Sequence, residues 1–226
     1  MSIYLTGGGD QEHFKALDSY FISQLQAPAN LLLVPQACEE DEYDDVLERL
    51  ESVFLGKYVE SIELLMKPDL ISVDQLLNFD GILLEGGNTF QLINALRNSP
   101  FFNHLKHFAQ AGKPIYGDSA GAIILGSDVG TAFLGEEGDE DFLNLQDYRG
   151  LDLIPPWSVH AHHEPEDKEL LEQLLYDKAN PIIALPEEGA VFLDGMNIIS
   201  LGTVPVELIT FSGTESLAPN ERFSLI

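Results

Sequence analysis

Three stretches of the sequence hold residues whose types and spacing suit acyl transfer. Gly117-Asp118-Ser119-Ala120-Gly121 fits G-x-S-x-G, a nucleophile elbow in which a strand passes through a sharp turn into a helix. The flanking glycines let the backbone bend and leave room beside the hydroxyl. The helix start offers amides and the positive end of a dipole to an oxyanion. The same residues also suit an ordinary tight turn, and the apolar runs on either side favour the nucleophile reading. Upstream, Glu85-Gly86-Gly87-Asn88 ends the run "GILL". Alone it is a plain strand-to-helix turn. With an elbow downstream, an amide of Gly87 or Asn88 would complete an oxyanion hole with that of Ala120. The third stretch, "VHAHHEPED", carries His160, His162 and His163, any of which suits a general base. Strand alternation puts His160 and His162 on one face and turns His163 away. A metal centre would need a further Cys or His cluster at ligand spacing, and the sequence offers none. No metal and no organic cofactor is expected.

These groups need a scaffold that delivers them from strand ends. Short apolar runs alternate with segments of helical period, which predicts an α/β fold with a mostly parallel sheet flanked by helices. "SIYLT" reads as a strand ending in Gly7-Gly8-Gly9, and "NLLLVP", "SIELLM", "GILLEG" and "PIYG" as further strands. "EHFKALDSYFISQL", "EEDEYDDVLERLESVF", "TFQLINALRNS" and "FFNHLKHFAQAG" read as helices, the last stopped by Gly112 before Pro114. "AGAIILG" begins a helix directly after Ser119. "GEEGDEDFLNLQD" is a polar loop on composition. A helix over "PEDKELLEQLLYD" follows, then strands near Ile182–Leu185, Ala190–Leu193, Asn197–Leu201 and Val206–Phe211. No repeat or linker divides the chain, so one domain over 1–226 is expected.

Composition narrows the classes. At 45% hydrophobic and 22% charged, the 226 residues suit a soluble globular enzyme. The first ten residues carry no signal-peptide pattern, and no apolar run approaches the ~18 residues of a membrane span, so a cytoplasmic protein with no membrane partner is expected. Eleven Lys+Arg against 38 Asp+Glu give a net charge of −27. That surface repels phosphate backbones and argues against nucleic acid as a partner. It fits plain solubility, or a high-salt environment that screens self-repulsion. Cys38 is the only cysteine and sits among acids, which raise a thiol's pKa and argue against a thiolate nucleophile.

The pairing of "LLEGGNTFQLINAL" with "GDSAGA" resembles the serine peptidases related to dipeptidase E (aspartyl dipeptidase) and cyanophycinase. "YLTGGGD", "DYRGLDLIP" and "PIIALPEEGAVFLDG" agree with it, so the likeness runs from the N-terminus to about residue 195. The resemblance implies a fold like the class I glutamine amidotransferases (a flavodoxin-like architecture), with serine in place of cysteine at the elbow. It implies a triad in the order Ser, acid, His and a small peptide as substrate, acting as a monomer or homodimer. Ser119 maps directly. The family's register puts Ala161 at a Pro position and His162 at the base, with His160 as the alternative. Counting back from "GLDLIP" puts the acid at Asp139, with Asp141 second and Glu136, Glu137 and Glu140 close by. The oxyanion donors fall at Gly87 or Asn88 and at Ala120.

Rival readings share parts of the pattern. An α/β-hydrolase esterase has the elbow and the same triad order, but it usually has a longer chain and an HGG-type oxyanion loop. An amidotransferase wants cysteine at the elbow. A binding module would have lost the base or the acid. Within the peptidase reading, the chain departs from dipeptidase E after the histidines. Where that enzyme is rich in arginine, "EPEDKELLEQLL" offers Lys168 alone among five acids. Selection of an N-terminal aspartate wants an arginine facing its carboxylate. Arg97 and Arg149 are the other basic residues considered for that place. A preference for neutral or basic peptides over Asp-X is therefore expected.

Overall fold

Apolar runs of four to six residues set the core of the molecule. The computed structural model describes every residue except Lys57, Glu137 and Ile226. Strands β1 (Ile3–Thr6), β2 (Ala29–Val34), β3 (Val59–Leu64), β4 (Gly81–Leu84) and β5 (Ile115–Asp118) pair in parallel in the spatial order β1-β5-β4-β2-β3. Strands β8 (Ala190–Leu193), β9 (Asn197–Ser200) and β12 (Arg222–Ser224) extend the sheet antiparallel beyond β1. A second sheet joins β6 (Ser158–His160), β7 (Ile182–Ala184), β10 (Val206–Thr210) and β11 (Gly213–Leu217).

Side chains alternate across the large sheet and feed two cores. On one face, Leu5, Leu32, Ile82 and Leu84 pack under helices α4 (Thr89–Arg97), α5 (Phe101–Gln110) and α6 (Ala120–Ile123). This core continues into the second sheet through Val159, Ile183 and Leu208. On the other face, Tyr4, Leu31, Leu33 and Tyr116 meet Phe21 of α1 (Lys15–Gln24) and Phe54 of α2 (Tyr43–Phe54). Fully burying a side chain such as Phe21 is worth about 1.5–3 kcal/mol. Both faces of the inner parallel strands are thus covered, which is why β1, β2 and β4 read as apolar runs, while the edge strand β3 leaves Glu60 and Glu63 exposed.

The predicted α/β class holds, with differences at the ends of elements. The expected helices over 12–25, 39–54 and 165–177 each begin with a short 3-10 turn before α1, α2 and α7 (Lys168–Lys178). A one-turn helix α3 (Val73–Leu76), capped by Ser72, was not expected, nor were β11 and β12. All three lack a strong apolar period. No described helix is long and apolar enough to cross a membrane. In open parallel sheets, ligands sit beyond the carboxyl ends of the strands. The chemistry-bearing residues collect there, after β1, β4 and β5.

Candidate active site

Ser119 is forced into its position by backbone packing. It leaves β5 at φ 46° and ψ −110°, a conformation that costs a non-glycine residue about 1–3 kcal/mol. Both neighbouring glycines are needed for close approach. A Cβ on Gly117 would lie 2.5 Å from the Gly121 carbonyl oxygen, and one on Gly121 would lie 2.2 Å from that of Leu84 on β4. The turn is also pinned by hydrogen bonds. The Ser119 amide donates to Thr6 O at 3.2 Å, and its carbonyl accepts the amides of Ala122 and Ile123. The hydroxyl Oγ then stands 2.8 Å from His162 Nε2.

His162 reaches that hydroxyl from a second irregular turn. Strand β6 ends at His160, and His162 has φ 52°, with its amide donating to Gly7 O at 3.1 Å. The expected alternation therefore stops before it applies. His160 and His163 bring their rings together, with centroids 5.8 Å apart, while His162 turns into the cleft. Gly8 makes room for the ring: a Cβ there would lie 2.4 Å from His162 Cε1 and 3.0 Å from Ser119 Cβ. The sequence reading saw Gly7-Gly8-Gly9 only as a strand end. A glycine triplet at a carboxyl strand end was the signal that it borders the site.

The acids divide between the cleft and its loop. Nδ1 of His162 lies 3.5 Å from Glu187 Oε1, a residue not singled out in the sequence. Asp139 lines the cleft, and its Oδ2 accepts the Thr89 amide at 2.8 Å at the start of α4. Burial raises its pKa, opposed by the Thr89 amide and by the charge of His162. Asp141 instead organises its own loop, accepting the Leu143 and Leu145 amides and the Tyr148 hydroxyl. Glu140 contributes its carbonyl, which accepts from Asn88 Nδ2 at 3.0 Å. Glu136 is exposed on the loop, and Glu137 lies outside the described residues.

The two candidate oxyanion donors of the glycine turn are not equivalent. The Asn88 amide donates to Ala37 O at 2.9 Å, and its side chain caps α4 by accepting the Gln91 amide. Asn88 is thus spent on structure, a correction to its expected role. Gly87 lines the cleft at φ 127°, where a Cβ would lie 2.4 Å from Ala37 O. Its amide has no acceptor among the described residues, nor has that of Ala120 at the start of α6. Gly86 packs beside the nucleophile, its absent side chain leaving 3.3 Å to Ser119 Cβ.

The cleft encloses about 810 Å³ and is acidic, lined by Asp10, Glu85, Asp118, Glu187 and Glu188 besides Asp139. Arg49 of α2, absent from the sequence expectations, also lines it and binds Glu85 Oε1 at 2.7 Å. Glu85 is 7% exposed; burial and the neighbouring Asp118 push its pKa up to about 7 against the pull of Arg49. Burial raises Asp118 as well, while its hydrogen bond from the Thr6 hydroxyl and the charges of Arg49 and His162 oppose the rise. Arg97 and Arg149 face elsewhere: both line a separate cavity and are tied to Asp147. Cys38 donates its thiol to Gly86 O at 3.1 Å, and burial and nearby acids push its pKa up to about 12, so it supports the glycine turn.

Known proteins resemble this chain along most of its length. Residues 3–201 match the sequence profile of peptidase family S51. Peptidase E of Shewanella baltica (strain OS195) is 25% identical over 198 residues, 83% of this chain and 79% of that protein. Peptidase E of Shewanella denitrificans (strain OS217) is 31% identical over 133 residues, 54% of each, so the chain spans about half the length of that relative. A crystal structure of a peptidase from an acI-B1 actinobacterium superposes with a TM-score of 0.75 over 99% of this chain and 96% of that one, at 18% identity. A candidate peptidase E from Listeria monocytogenes EGD-e gives 0.62 over 89% and 98%, at 24% identity. At those identities the two structures bear on the fold alone.

Proposed function

We propose that this chain, which belongs to peptidase family S51, is a serine-type hydrolase of small peptides that works through an acyl-enzyme. The Ser119 hydroxyl gives its proton to His162 Nε2 as Oγ attacks the substrate carbonyl. The amides of Gly87 and Ala120 receive the developing oxyanion. His162 then returns the proton to the leaving amine, and water attacks the acyl-serine with the same base. The imidazolium formed on the way is stabilised by carboxylates beside it. Asp139 is the acid that the family resemblance assigns, and Glu187, within ion-pair reach of Nδ1, is a second. The apolar core that joins the two sheets supports taking residues 1–226 as one catalytic unit.

One observation carries the reading. A serine held in strained backbone, between glycines that nothing larger could replace, presents its hydroxyl 2.8 Å from an imidazole nitrogen. Plain turns do not keep such strain, and its placement in a cleft favours function. The acidic lining extends this to specificity. Among the described residues Arg49 is the only arginine or lysine lining the cleft, and Glu85 already holds it, so an anionic N-terminal residue gains little. Neutral and basic peptides should be cleaved at least as well as Asp-X peptides. A fluorophosphonate probe tests the nucleophile: wild-type protein should be labelled stoichiometrically and Ser119→Ala not at all. Equal labelling of the two proteins would overturn the proposal.

A further inference from the structure

His160, His163 and Asp167 form a second, buried cluster behind the cleft wall, and its hydrogen bonding is short of donors. His160 Nδ1 lies 3.2 Å from the Thr131 carbonyl oxygen and its Nε2 3.2 Å from Asp167 Oδ2, and both oxygens can only accept. Whichever nitrogen of the neutral ring is protonated, the other turns a lone pair toward an acceptor. His163 repeats the arrangement. Its Nε2 lies 3.4 Å from Glu207 Oε2, within ion-pair reach. Its Nδ1 is left buried without a hydrogen-bond partner and 3.7 Å from the same Asp167 oxygen. The side chains of His160, His163 and Asp167 are 2%, 4% and 7% exposed, so bulk water does not relieve the conflict. With the protons on His160 Nδ1 and His163 Nε2, two lone pairs and a carboxylate oxygen converge.

We propose that this cluster is a binding site for one divalent transition-metal ion of borderline softness, with Zn²⁺ as its representative. The geometry suits the ion. The three donor atoms lie within 4.8 Å of one another. Four ligands at about 2.0–2.1 Å from Zn²⁺ stand about 3.3–3.4 Å apart, close to the spacings of 3.2 and 3.7 Å seen here. Each histidine also turns its other ring nitrogen toward an oxygen, Thr131 O at 3.2 Å or Glu207 Oε2 at 3.4 Å, as the outer-shell partners of a metal-binding imidazole do. Asp167 is held in place by the Glu164 amide, which donates to Oδ2 at 2.8 Å. Two imidazoles and one carboxylate favour Zn²⁺ over Ca²⁺ or Mg²⁺, which want oxygen alone. A proton could serve the His160–Asp167 contact but leaves the buried His163 Nδ1 without a hydrogen-bond partner. Thr131, Gly135 and His160 line the cleft, giving an ion an entry path from its wall. The ion would tie the end of β6, two residues before His162, to the turn that starts α7. Ligand spacing in the sequence does not point to this cluster, because its third member is an aspartate four residues beyond His163, in a run that reads as surface acid.

The test uses the full chain, stripped with chelator and titrated with Co²⁺ as a spectroscopic probe. The proposal expects one equivalent to give the visible absorption of a four- or five-coordinate ion, displaced by one equivalent of Zn²⁺, with Zn²⁺ raising the Tm. His163→Asn and Asp167→Asn should each abolish the band and weaken binding about 100-fold or more, while Ser119→Ala keeps both. A wild-type protein that shows neither band nor Tm shift overturns the site, as do variants that bind as tightly as wild type. Should the variants fail to fold, X-ray absorption of the Zn²⁺-loaded wild type decides. A shell of two imidazoles plus oxygen is expected, and fewer than two imidazoles overturns the assignment.

Discussion

His162 and His160 sit two residues apart and meet opposite environments. His162 lies in left-handed backbone beyond the strand, at the rim of the cleft, against a serine hydroxyl. His160 ends β6 inside the core, fixed by a backbone carbonyl and a buried aspartate. One ring is placed to exchange a proton with a substrate; the other, at the cleft wall, is buried and held by its neighbours. The residue type is the same, and the backbone turn between them decides the role. The difference teaches that a histidine-rich stretch has to be read through its local conformation before chemistry is assigned.

The largest expected effect separates the two directly. Ser119→Ala and His162→Ala should each lower kcat by about 10^4 or more, because they act as one unit. His160→Asn should keep the cleft chemistry and act mainly through stability. Steady-state kinetics on a small peptide panel would show it, and an inactive but well-folded His160→Asn variant would break the comparison.

The two turns that frame the site come next. Gly87→Val should lower kcat by about 10^2 to 10^3 by displacing an oxyanion donor. Gly8→Ala should cost about 10^2, since its Cβ would lie 2.4 Å from the His162 ring and push it off the hydroxyl. Circular dichroism should confirm that both fold. Wild-type turnover in folded Gly87→Val would remove that amide from the mechanism.

Specificity should move less. Comparing kcat/KM for Asp-Leu, Asn-Leu, Leu-Leu and Arg-Leu at low and high salt should give Asp-Leu no advantage. A preference for Asp-Leu above about tenfold at both salts, roughly 1.4 kcal/mol, would restore an aspartyl preference and make Arg49 its first suspect.

The smallest effect concerns stability and pH. Glu85 is raised in the folded protein from 4.5 to about 7, so it binds its proton more tightly folded than unfolded. Its contribution is present below pH 4.5 and is lost as pH rises through about 7. Glu85→Gln removes that loss. Its Tm relative to wild type should therefore climb across this window, and a constant difference would show that Glu85 does not titrate there.

Much of this was legible in the sequence. The parallel strands announced themselves because burial on both faces demands unbroken apolar runs, and the elbow did so because glycines at 117 and 121 fit nothing larger. The role of Gly8 and the arrival of Arg49 from α2 were not legible, since both depend on which strand ends become neighbours. The edge strands β11 and β12 were missed because half-exposed strands carry little apolar signal. Asn88 was misjudged because nothing in the sequence shows that Ala37 takes its amide. The choice between His160 and His162 needed the backbone conformation after β6, which alternation alone cannot supply.

The central claim is that Ser119 is a nucleophile driven by His162. It is tested most directly by intact-mass and peptide-mapping spectrometry after fluorophosphonate treatment of wild type, His162→Ala and His160→Asn. The account predicts a single adduct on Ser119 in wild type and in folded His160→Asn, and little or none in His162→Ala. An adduct on another residue, or His162→Ala labelled at the wild-type rate, would contradict it.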